Sequence, residues 1–341
     1  MRYNHTTMTT FDSPSKAALL TRRQMVASTL ACVIVFDSNV GEESAGWEKS
    51  SANPVLGGSL GTCFDICVVK LGAKYWMYFS WRPMKSVAVV ESVDGVHWTI
   101  PTAGPQIVLG PFAESGWEDN INRPVVLEKD GLFHMWYTGQ TAKHSAIGHA
   151  TSTDGIRWTR ANASHGAAVL TPTLQWEGVA VMTPHVLWEP DEKLYKMWYS
   201  AGEQYEPNAI GYATSLDGIA WTRYSSAPTM VADPGHAWEG NRVTAPCVVK
   251  DANYYYAFYI GLKDINTAAI GVARSRDGVT NWTRHPENPV IRPSRHGWDA
   301  EACYKPSVIH ERGRWMLWYN GRRGTVEQIG LAIHQGDDLH F

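Results

Sequence analysis

Three acidic residues stand out in this sequence because they interrupt a repeated pattern. Asp65, Glu203 and Glu301 come from three different copies of a repeat that runs through most of the chain. Carboxyl groups that converge on one cavity can divide proton transfer between a general acid and a base or nucleophile. We therefore take these three residues as the candidate catalytic set. The alternative for each is a solvated loop charge or a salt bridge.

The repeat joins an aromatic run to an Asp-Gly element. Met135-Trp136-Tyr137 is followed by IGHATSTDGIRWTR, and the pattern returns at Met77-Tyr78-Phe79, Met197-Trp198-Tyr199, Ala257-Phe258-Tyr259 and, in part, Leu317-Trp318-Tyr319. Its period is a stretched form of the repeats of about 40–50 residues that are typical of propellers. β-Branched and aromatic runs separated by turn residues predict strands. The sequence therefore predicts an all-β fold, a five-bladed β-propeller with four antiparallel strands per blade.

The segment around Trp47 predicts how the ring closes. Trp47-Glu48-Lys49 aligns without a gap, through the following Asn-Pro, with Trp282-Thr283-Arg284 in the last strand of a repeat. It precedes the first complete copy, while the fifth copy runs out of chain at Phe341. An N-terminal strand that completes the fifth blade would remove the open edges of the sheet. We expect a propeller catalytic domain over 46–341, preceded by a tail or export signal over 1–45.

Elements that recur in every copy are interpreted as architecture. In the Asp-Gly elements at Asp94, Asp154, Asp217 and Asp277, a short Asp can accept backbone hydrogen bonds while Gly adopts a positive φ. The same reasoning assigns a structural role to the acid that follows a tryptophan once per repeat, as in Trp117-Glu118. Residues that recur in this way are not candidates for catalysis.

Composition excludes some functions. The net charge of −3 and 18% charged residues give no basic excess for neutralising phosphates, so we expect no nucleic-acid partner. The five cysteines form no paired CxxC motif, and Cys67 and Cys247 share one repeat position, which predicts buried free thiols. No metal-ligand spacing is present, and we expect neither a metal nor a cofactor.

The N-terminus has two interpretations. Arg22-Arg23 precedes the apolar run Val26 to Phe36, which is too short for a membrane span. The pair resembles a twin-arginine export signal, which predicts a periplasmic or extracellular protein. The alternative is a flexible tail with a chance apolar run, in which case the protein would be cytoplasmic.

Cationic residues map to the same face of the repeats as the candidate acids. Guanidinium groups bind carboxylate or phosphate through two parallel hydrogen bonds. The pattern therefore predicts either an anionic substrate or inorganic phosphate as a co-substrate. The alternative is a set of rim salt bridges with acids such as Glu206 and Glu327. The cations are Arg82, Arg123, Lys143, Arg242, Lys263, Lys305, Arg322 and Arg323.

The pattern resembles the glycoside hydrolase superfamily that contains families 43, 32, 68, 117 and 130. The resemblance covers about residues 47–341 and includes the opening strand Phe64-Asp65-Ile66-Cys67-Val68-Val69. It implies a five-bladed propeller that processes glycans, mostly furanosides, xylosides, galactosides or mannosides. It also implies a catalytic base at Asp65, at the place of the first-blade Asp of family 43, with Ile66 where that family has Pro.

Two other positions depart from the family-43 pattern. Thr183 stands where that pattern has a second Asp, and Thr244 stands where it has the general-acid Glu. Glu203 and Glu301 are therefore candidate acids from their positions alone.

The resemblance to family 117 implies a histidine acid, for which His144 and His185 are candidates. The alternative for His185 is a core residue beside Pro184.

We therefore predict a glycosidase that acts on a furanoside or related oligosaccharide, with Asp65 as base or nucleophile and Glu203 or Glu301 as acid. Two alternatives remain: a phosphorylase that uses inorganic phosphate, and a non-catalytic carbohydrate-binding propeller, which the two missing family acids favour. The residues expected to bind substrate are Trp81, Arg82, Asn122, Arg123, His144, His185, Arg242, Lys305 and Arg322.

Overall fold

β-Strands make up nearly all the regular structure of residues 45–161 and 167–341, which are the residues described by a computed structural model. Only 3-10 turns add to them in this part of the chain, at Gly58–Leu60, Arg82–Met84, Ala113–Ser115 and Gln175–Glu177. The prediction of an all-β fold is confirmed. Within these residues no helix is long and apolar enough to cross a membrane. The export signal predicted around Arg22-Arg23 lies outside the described residues.

The strands form five antiparallel units that follow the sequence repeats. Unit 1 contains β2 (Cys63–Leu71), β3 (Lys74–Trp81), β4 (Ser86–Ser92), β5 (Trp98–Thr99) and β6 (Gln106–Leu109). Unit 2 contains β7 (Asn120–Lys129), β8 (Leu132–Gln140), β9 (Ser145–Ser152) and β10 (Thr159–Arg160). Unit 3 contains β11 (Ala180–Glu189), β12 (Leu194–Gly202), β13 (Ala209–Ser215) and β14 (Thr222–Arg223).

Units 4 and 5 repeat the same order. Unit 4 contains β15 (Arg242–Asp251), β16 (Tyr254–Asp264), β17 (Thr267–Ser275) and β18 (Thr283–Arg284). Unit 5 contains β19 (Ala302–Glu311), β20 (Arg314–Arg323), β21 (Val326–Gln335) and β1 (Trp47–Lys49). The first strand of each unit packs against that of the next, and β19 packs against β2. This arrangement is consistent with a propeller.

The Asp-Gly elements have the architectural role that the repeat predicts. Asp94 Oδ1 accepts the backbone amides of Val96 and His97, each at 2.8 Å. The equivalent aspartates 154, 217 and 277 accept the corresponding two amides in their own units. The side chain therefore replaces backbone partners in a tight turn.

A buried acid paired with a base from the last strand recurs in four units. Glu118 Oε1 lies 3.1 Å from Arg160 Nε, and the same pair forms between Glu177 and Arg223 and between Glu239 and Arg284. In unit 5 the acid is Asp299 and its partner is Lys49 of β1, with Nζ 2.6 Å from Oδ2. β1 thus occupies the place of a fourth strand in unit 5.

Lys49→Met is expected to lower the free energy of unfolding by about 2 kcal/mol, because the buried Asp299 carboxylate loses its cation and a charge-assisted hydrogen bond. Urea denaturation measures the change. Lys74→Met is the matched control, since the Lys74–Glu91 pair lies on the surface and should contribute less than about 1 kcal/mol. Equal effects of the two substitutions would contradict a structural role for β1.

A β-bulge interrupts the first strand of every unit at one repeat position. The residue there has a positive φ, from 39° to 54°, and its neighbours in sequence are otherwise extended. In four units the amide at the bulge donates to a polar side chain of the preceding unit; for Asp65 the acceptor is Asn320 Oδ1 of unit 5. Bulges redirect side chains. The five bulge residues are Asp65, Arg123, Thr183, Ala245 and Lys305.

The cysteines that the structure describes are buried free thiols, as predicted for Cys67 and Cys247. Burial raises the pKa of Cys247 to about 11. These thiols are packing groups, because a reactive cysteine needs a lowered pKa and access to solvent.

Candidate active site

One cavity, of about 310 Å³, collects side chains from all five units. Four of the five bulge residues line it, so the repeat position that redirects side chains also forms the cavity wall. Units 1 and 2 contribute Phe64, Asp65, Ser80, Trp81, Arg82, Lys85, Asn120, Ile121, Asn122, Arg123 and Gln140. Units 3, 4 and 5 contribute Thr183, Tyr205, Glu206, Pro207, Thr244, Ala245, Ile260, Tyr304, Asn320, Arg322 and Glu327.

Asp65 is held at the cavity wall by contacts on two sides. Its backbone amide donates to Asn320 Oδ1 at 3.3 Å. Arg123 Nε lies 3.4 Å from Asp65 Oδ2, and the Asp65 side chain is only 10% exposed. Oδ2 nevertheless accepts no hydrogen bond from the described residues. A buried carboxylate oxygen with spare hydrogen-bonding capacity is suited to receive a proton or to contact a ligand.

Glu327 is the second carboxyl group of the cavity. Its Oε2 accepts a hydrogen bond from Asn320 Nδ2 at 2.8 Å, so one asparagine connects Glu327 with the Asp65 backbone. Burial, together with the negative charge of Asp65, raises the pKa of Glu327 to about 7, and the arginines around it only partly oppose this change. At neutral pH this side chain is therefore present in both protonation states, as a general acid requires.

Glu206 is the third carboxyl group, and it lies in the loop between β12 and β13. Burial raises its pKa, the charge of Asp65 adds to the increase, and Arg123, Arg242 and Arg322 oppose it. The loop is held by Arg242 Nη1, which donates to the Glu206 carbonyl oxygen. Glu206 is thus a second candidate proton donor at the same cavity.

Three polar side-chain atoms on the cavity wall are buried without a hydrogen-bond partner in the described part of the chain. They are Asp65 Oδ2, Thr244 Oγ1 and Arg322 Nε. Unpaired buried polar groups are costly, and a ligand rich in hydroxyl groups could satisfy both the acceptor and the donors. The wall has the hydrogen-bonding character of a polar ligand site.

The cavity also contains fixed guanidinium groups. Arg123 Nη1 donates to Asn122 Oδ1 at 3.1 Å, and Asn122 Nδ2 donates to Gln140 Oε1 at 3.2 Å. This chain of hydrogen bonds keeps Arg123 beside Asp65. Trp81, whose Nε1 donates to the Leu60 carbonyl oxygen, provides an aromatic wall.

The structure brings six of the predicted residues together at the cavity and leaves six outside its lining. Those in the lining are Asp65, Trp81, Arg82, Asn122, Arg123 and Arg322; those outside it are Glu203, Glu301, His144, His185, Arg242 and Lys305.

Neither predicted acid reaches the cavity. Glu203 has a side chain that is 63% exposed and pairs with Arg242 Nη2 at 2.9 Å. Glu301 is 47% exposed, with Oε2 3.6 Å from Arg322 Nε. Both are rim charges, which was the alternative interpretation of their positions.

The two histidines are also outside the lining. His185 Nε2 donates to the Val248 carbonyl oxygen at 2.8 Å, and burial lowers the pKa of His185 to about 3, which keeps the ring neutral. Nδ1 of His144 lies 3.2 Å from Thr141 Oγ1 within a tight turn. His185 is thus a satisfied interior residue.

Lys305 is not among the residues that line the cavity. It is only 3% exposed, and burial lowers its pKa, while the nearby Cys247, Asp65 and Cys67 oppose this change. Lys305 is therefore a buried amine near Asp65 that lies outside the cavity lining.

Sequence reasoning missed Glu206 and Glu327 as cavity residues and named them only as salt-bridge partners. Both follow an aromatic second strand, where the copies stop resembling one another. That departure was the available signal. It did not distinguish Glu206 from Glu203, three residues away.

Away from this cavity, Asp233, His236 and Glu239 offer three ligand atoms within 4.8 Å of one another, a grouping the sequence did not predict. Arg284 Nε lies 2.5 Å from Glu239 Oε1, so this carboxylate already has a cation. The grouping is explained by the Glu239–Arg284 ion pair, which has a structural role in unit 4.

Comparison with known proteins gives a family match over most of the chain. The model of "Glycosyl hydrolases family 43" matches residues 51–335. The resemblance predicted from the repeats is confirmed. No curated protein sequence matches the chain.

Solved structures share the fold at low sequence identity. A thermostable family-43 glycoside hydrolase is 18% identical, with a TM-score of 0.64 over 82% of this chain and 91% of that one. An exo-1,5-alpha-L-arabinanase from a bovine ruminal metagenomic library is 18% identical, with a TM-score of 0.59 over 80% and 92%. A beta-1,2-mannobiose phosphorylase from Listeria innocua is 13% identical, with a TM-score of 0.66 over 85% and 96%.

Proposed function

Because this chain belongs to the glycosyl hydrolases of family 43, we propose that it hydrolyses a glycosidic bond in a furanoside or related oligosaccharide at the cavity described above. The observation that carries the proposal is the convergence of three carboxyl groups, Asp65, Glu206 and Glu327, on one cavity. Two of them have a raised pKa. Groups that differ in protonation can divide the acid and base roles.

The architecture we propose is a five-bladed propeller over 46–341, closed by the strand at Trp47. Three contacts support closure: the pairing of β1 with β21, the Lys49–Asp299 ion pair, and the packing of β19 against β2. Closure places Asn320 of unit 5 beside Asp65 of unit 1, so it would also assemble the site. For residues 1–45 we propose an export signal of the twin-arginine type.

In the proposed reaction, Glu327 donates a proton to the leaving oxygen as the glycosidic bond breaks. Asp65 either removes a proton from the water that attacks the anomeric carbon or attacks that carbon itself, and in the second case water then hydrolyses the covalent intermediate. Glu327 replaces Glu203 and Glu301 as the candidate acid because those two lie on the rim. Glu327 projects from β21, and an asparagine holds it, so its position is more rigid than that of Glu206 in a loop. A carboxyl separation of about 5–5.5 Å would favour retention, and about 6.5–9.5 Å inversion.

Glu327→Gln is expected to lower kcat by about 10²-fold or more, because it removes the proton donor. An acid must be protonated to act, so wild-type kcat/KM should fall as the pH rises through about 7, the pKa of Glu327. The variant should lack this decline. Rate measurements between pH 5 and 9, values chosen to bracket that pKa, test both points.

Glu301→Gln is the matched control, since Glu301 is a nearby but exposed glutamate. It should retain wild-type rates and pH dependence. If Glu206→Gln removes the decline and Glu327→Gln does not, the proton donor is Glu206.

A second candidate, a phosphorylase, is favoured by the arginines of the cavity, and one structurally similar protein is a beta-1,2-mannobiose phosphorylase. Sugar release measured with and without inorganic phosphate separates the two reactions. Hydrolysis predicts equal release in both buffers, whereas phosphorolysis predicts release only with phosphate and a sugar phosphate product. Binding without release would indicate a carbohydrate-binding propeller and overturn both proposals.

A further inference from the structure

Two guanidinium groups flank Glu327 at the cavity. Arg82 of unit 1 has Nη2 3.3 Å from Glu327 Oε1, which is a long contact. Arg322 stands opposite Glu327 in the register of β20 and β21. The carboxylate contacts of the two groups are long, 3.3 Å from Arg82 to Glu327 and 3.6 Å from Arg322 to Glu301, so the positive charge of this corner is only loosely paired.

Aromatic rings hold the flat faces of both guanidinium groups. Arg82 lies 4.3 Å from the centre of the Phe64 ring, and Arg322 lies 5.5 Å from that of Tyr304. Both rings line the cavity. Stacking occupies the face of a guanidinium group and leaves its N–H edge for a planar or tetrahedral oxyanion.

Arg322 has an unused donor. Its Nη2 donates to the Asn266 carbonyl oxygen at 2.7 Å, but Nε is buried and has no acceptor among the described residues. The nearest acid, Glu301, has Oε2 3.6 Å from Nε. Arg322 lines the cavity, so a bound ligand could supply the acceptor that Nε lacks.

The charges of the lining favour an anion. Burial raises the pKa of two of its three carboxyl groups, so near neutral pH its positive charges outnumber its negative ones. The whole chain has a net charge of −3, so this excess is local. The cations are Arg82, Lys85, Arg123 and Arg322, and the carboxyl groups are Asp65, Glu206 and Glu327.

We propose that the substrate is an anionic glycan and that Arg82 and Arg322 bind its carboxylate or sulfate group. A hydroxyl group of a neutral sugar could pair with the Arg322 donor, but a neutral sugar would bring no negative charge to the excess of cations in the lining. This inference rests on the proposed function, because it names the substrate class of the same cavity. The shared chemistry is an oxyanion carried on a sugar.

The test compares binding of the full-length chain to acidic polysaccharides and to their neutralised forms. Polygalacturonate, glucuronoxylan and chondroitin sulfate are the probes, each beside its carboxyl-reduced or desulfated counterpart. At least one acidic form should bind about tenfold more tightly than its counterpart, as expected for a charge-assisted hydrogen bond. The carboxylate and sulfate probes then identify the group.

Arg82→Gln should abolish this preference, and it should fold normally because Arg82 is largely exposed. Arg322→Gln should have the same effect. Arg157→Gln is the control, since Arg157 is 89% exposed and pairs with the Asp154 turn. The preference of the Arg157→Gln protein for acidic over neutralised glycans should equal that of the wild type.

Equal binding of acidic and neutral forms, or a preference that survives Arg82→Gln, would overturn the inference. Competition by inorganic phosphate alone at similar affinity would also overturn it, because the site would then bind a free phosphate ion and not an oxyanion carried on a sugar. Cleavage of a neutral glycan without acidic preference overturns only this inference. A preference for acidic glycans without any cleavage overturns only the proposed hydrolysis.

Discussion

Asp65→Asn is expected to lower kcat for glycan cleavage by about 10³-fold, within the range for loss of a general base. Asp65 has a φ of 49°, a left-handed conformation that Asn adopts as readily as Asp. The amide also keeps the shape of the side chain. The loss should therefore be confined to the chemistry, with glycan affinity and unfolding temperature close to wild type.

Single-turnover rates and equilibrium binding, measured on the same preparation, separate these effects. Asp130→Asn is the matched control, because Asp130 also has a positive φ of 54° but lies in an exposed turn beside Lys129. It should cleave at the wild-type rate. A cleavage rate of Asp65→Asn within about tenfold of the control would exclude Asp65 as the base.

Glu177→Ala is expected to lower the free energy of unfolding by about 3–5 kcal/mol, the cost of removing one partner from a buried ion pair. The Glu177 side chain is fully buried. It accepts hydrogen bonds from Arg223 Nε at 2.6 Å, from the Tyr199 hydroxyl at 2.7 Å and from two backbone amides. Removing it leaves Arg223 without its counter-ion.

Urea denaturation at several pH values measures this loss. Burial alone would raise the pKa of Glu177. The hydrogen bonds from Arg223 and from the Thr173 and Leu174 amides have the larger, opposite effect, so the pKa lies below its usual value. A lowered pKa stabilises the fold above the unfolded-state pKa of about 4.3. The difference between wild type and variant should be full at pH 7 and should shrink as the pH falls below that value.

The control for Glu177→Ala is Glu192→Ala, which removes a half-exposed partner of Lys196. It should cost less than about 1 kcal/mol. If both variants unfold at the same urea concentration, the recurring acid–base pair does not stabilise the units.

The repeat made most of the fold predictable. Short strands with turn residues at fixed offsets predict local hairpins, and the copies agreed on where each hairpin turns. The alignment of Lys49 with Arg284 predicted that β1 would pair in the last unit, and Lys49 occupies the place of that arginine beside Asp299. Local hydrogen bonding and side-chain packing determine these features, so they are readable from sequence.

The position of Asp65 was also predictable, because it interrupts the repeat inside a strand whose register the copies define. The positions of the acids outside the strands were not predictable. Glu203 and Glu206 lie in one loop, yet the first is solvent-exposed and the second lines the cavity. The path of an irregular loop depends on tertiary contacts such as the one from Arg242 to the Glu206 carbonyl oxygen, which no repeat position records.

Glu327 was missed for a different reason. Its role depends on Asp65, which lies far away in sequence and is connected to it through Asn320. Its raised pKa arises from burial and from the charge of Asp65. Neither cause can be read from residues 322–327 alone. The residue types of the site could be read from the sequence, but which of these residues line one cavity could not.

A crystal structure of the Asp65→Asn protein with a glycan that the wild type cleaves is the most direct test of whether glycans are cleaved in this cavity. In that crystal a sugar ring should occupy the cavity, with its glycosidic oxygen within hydrogen-bonding distance of Glu327 and its anomeric carbon facing residue 65. A glycan bound on another surface, with the cavity containing only solvent, would contradict it.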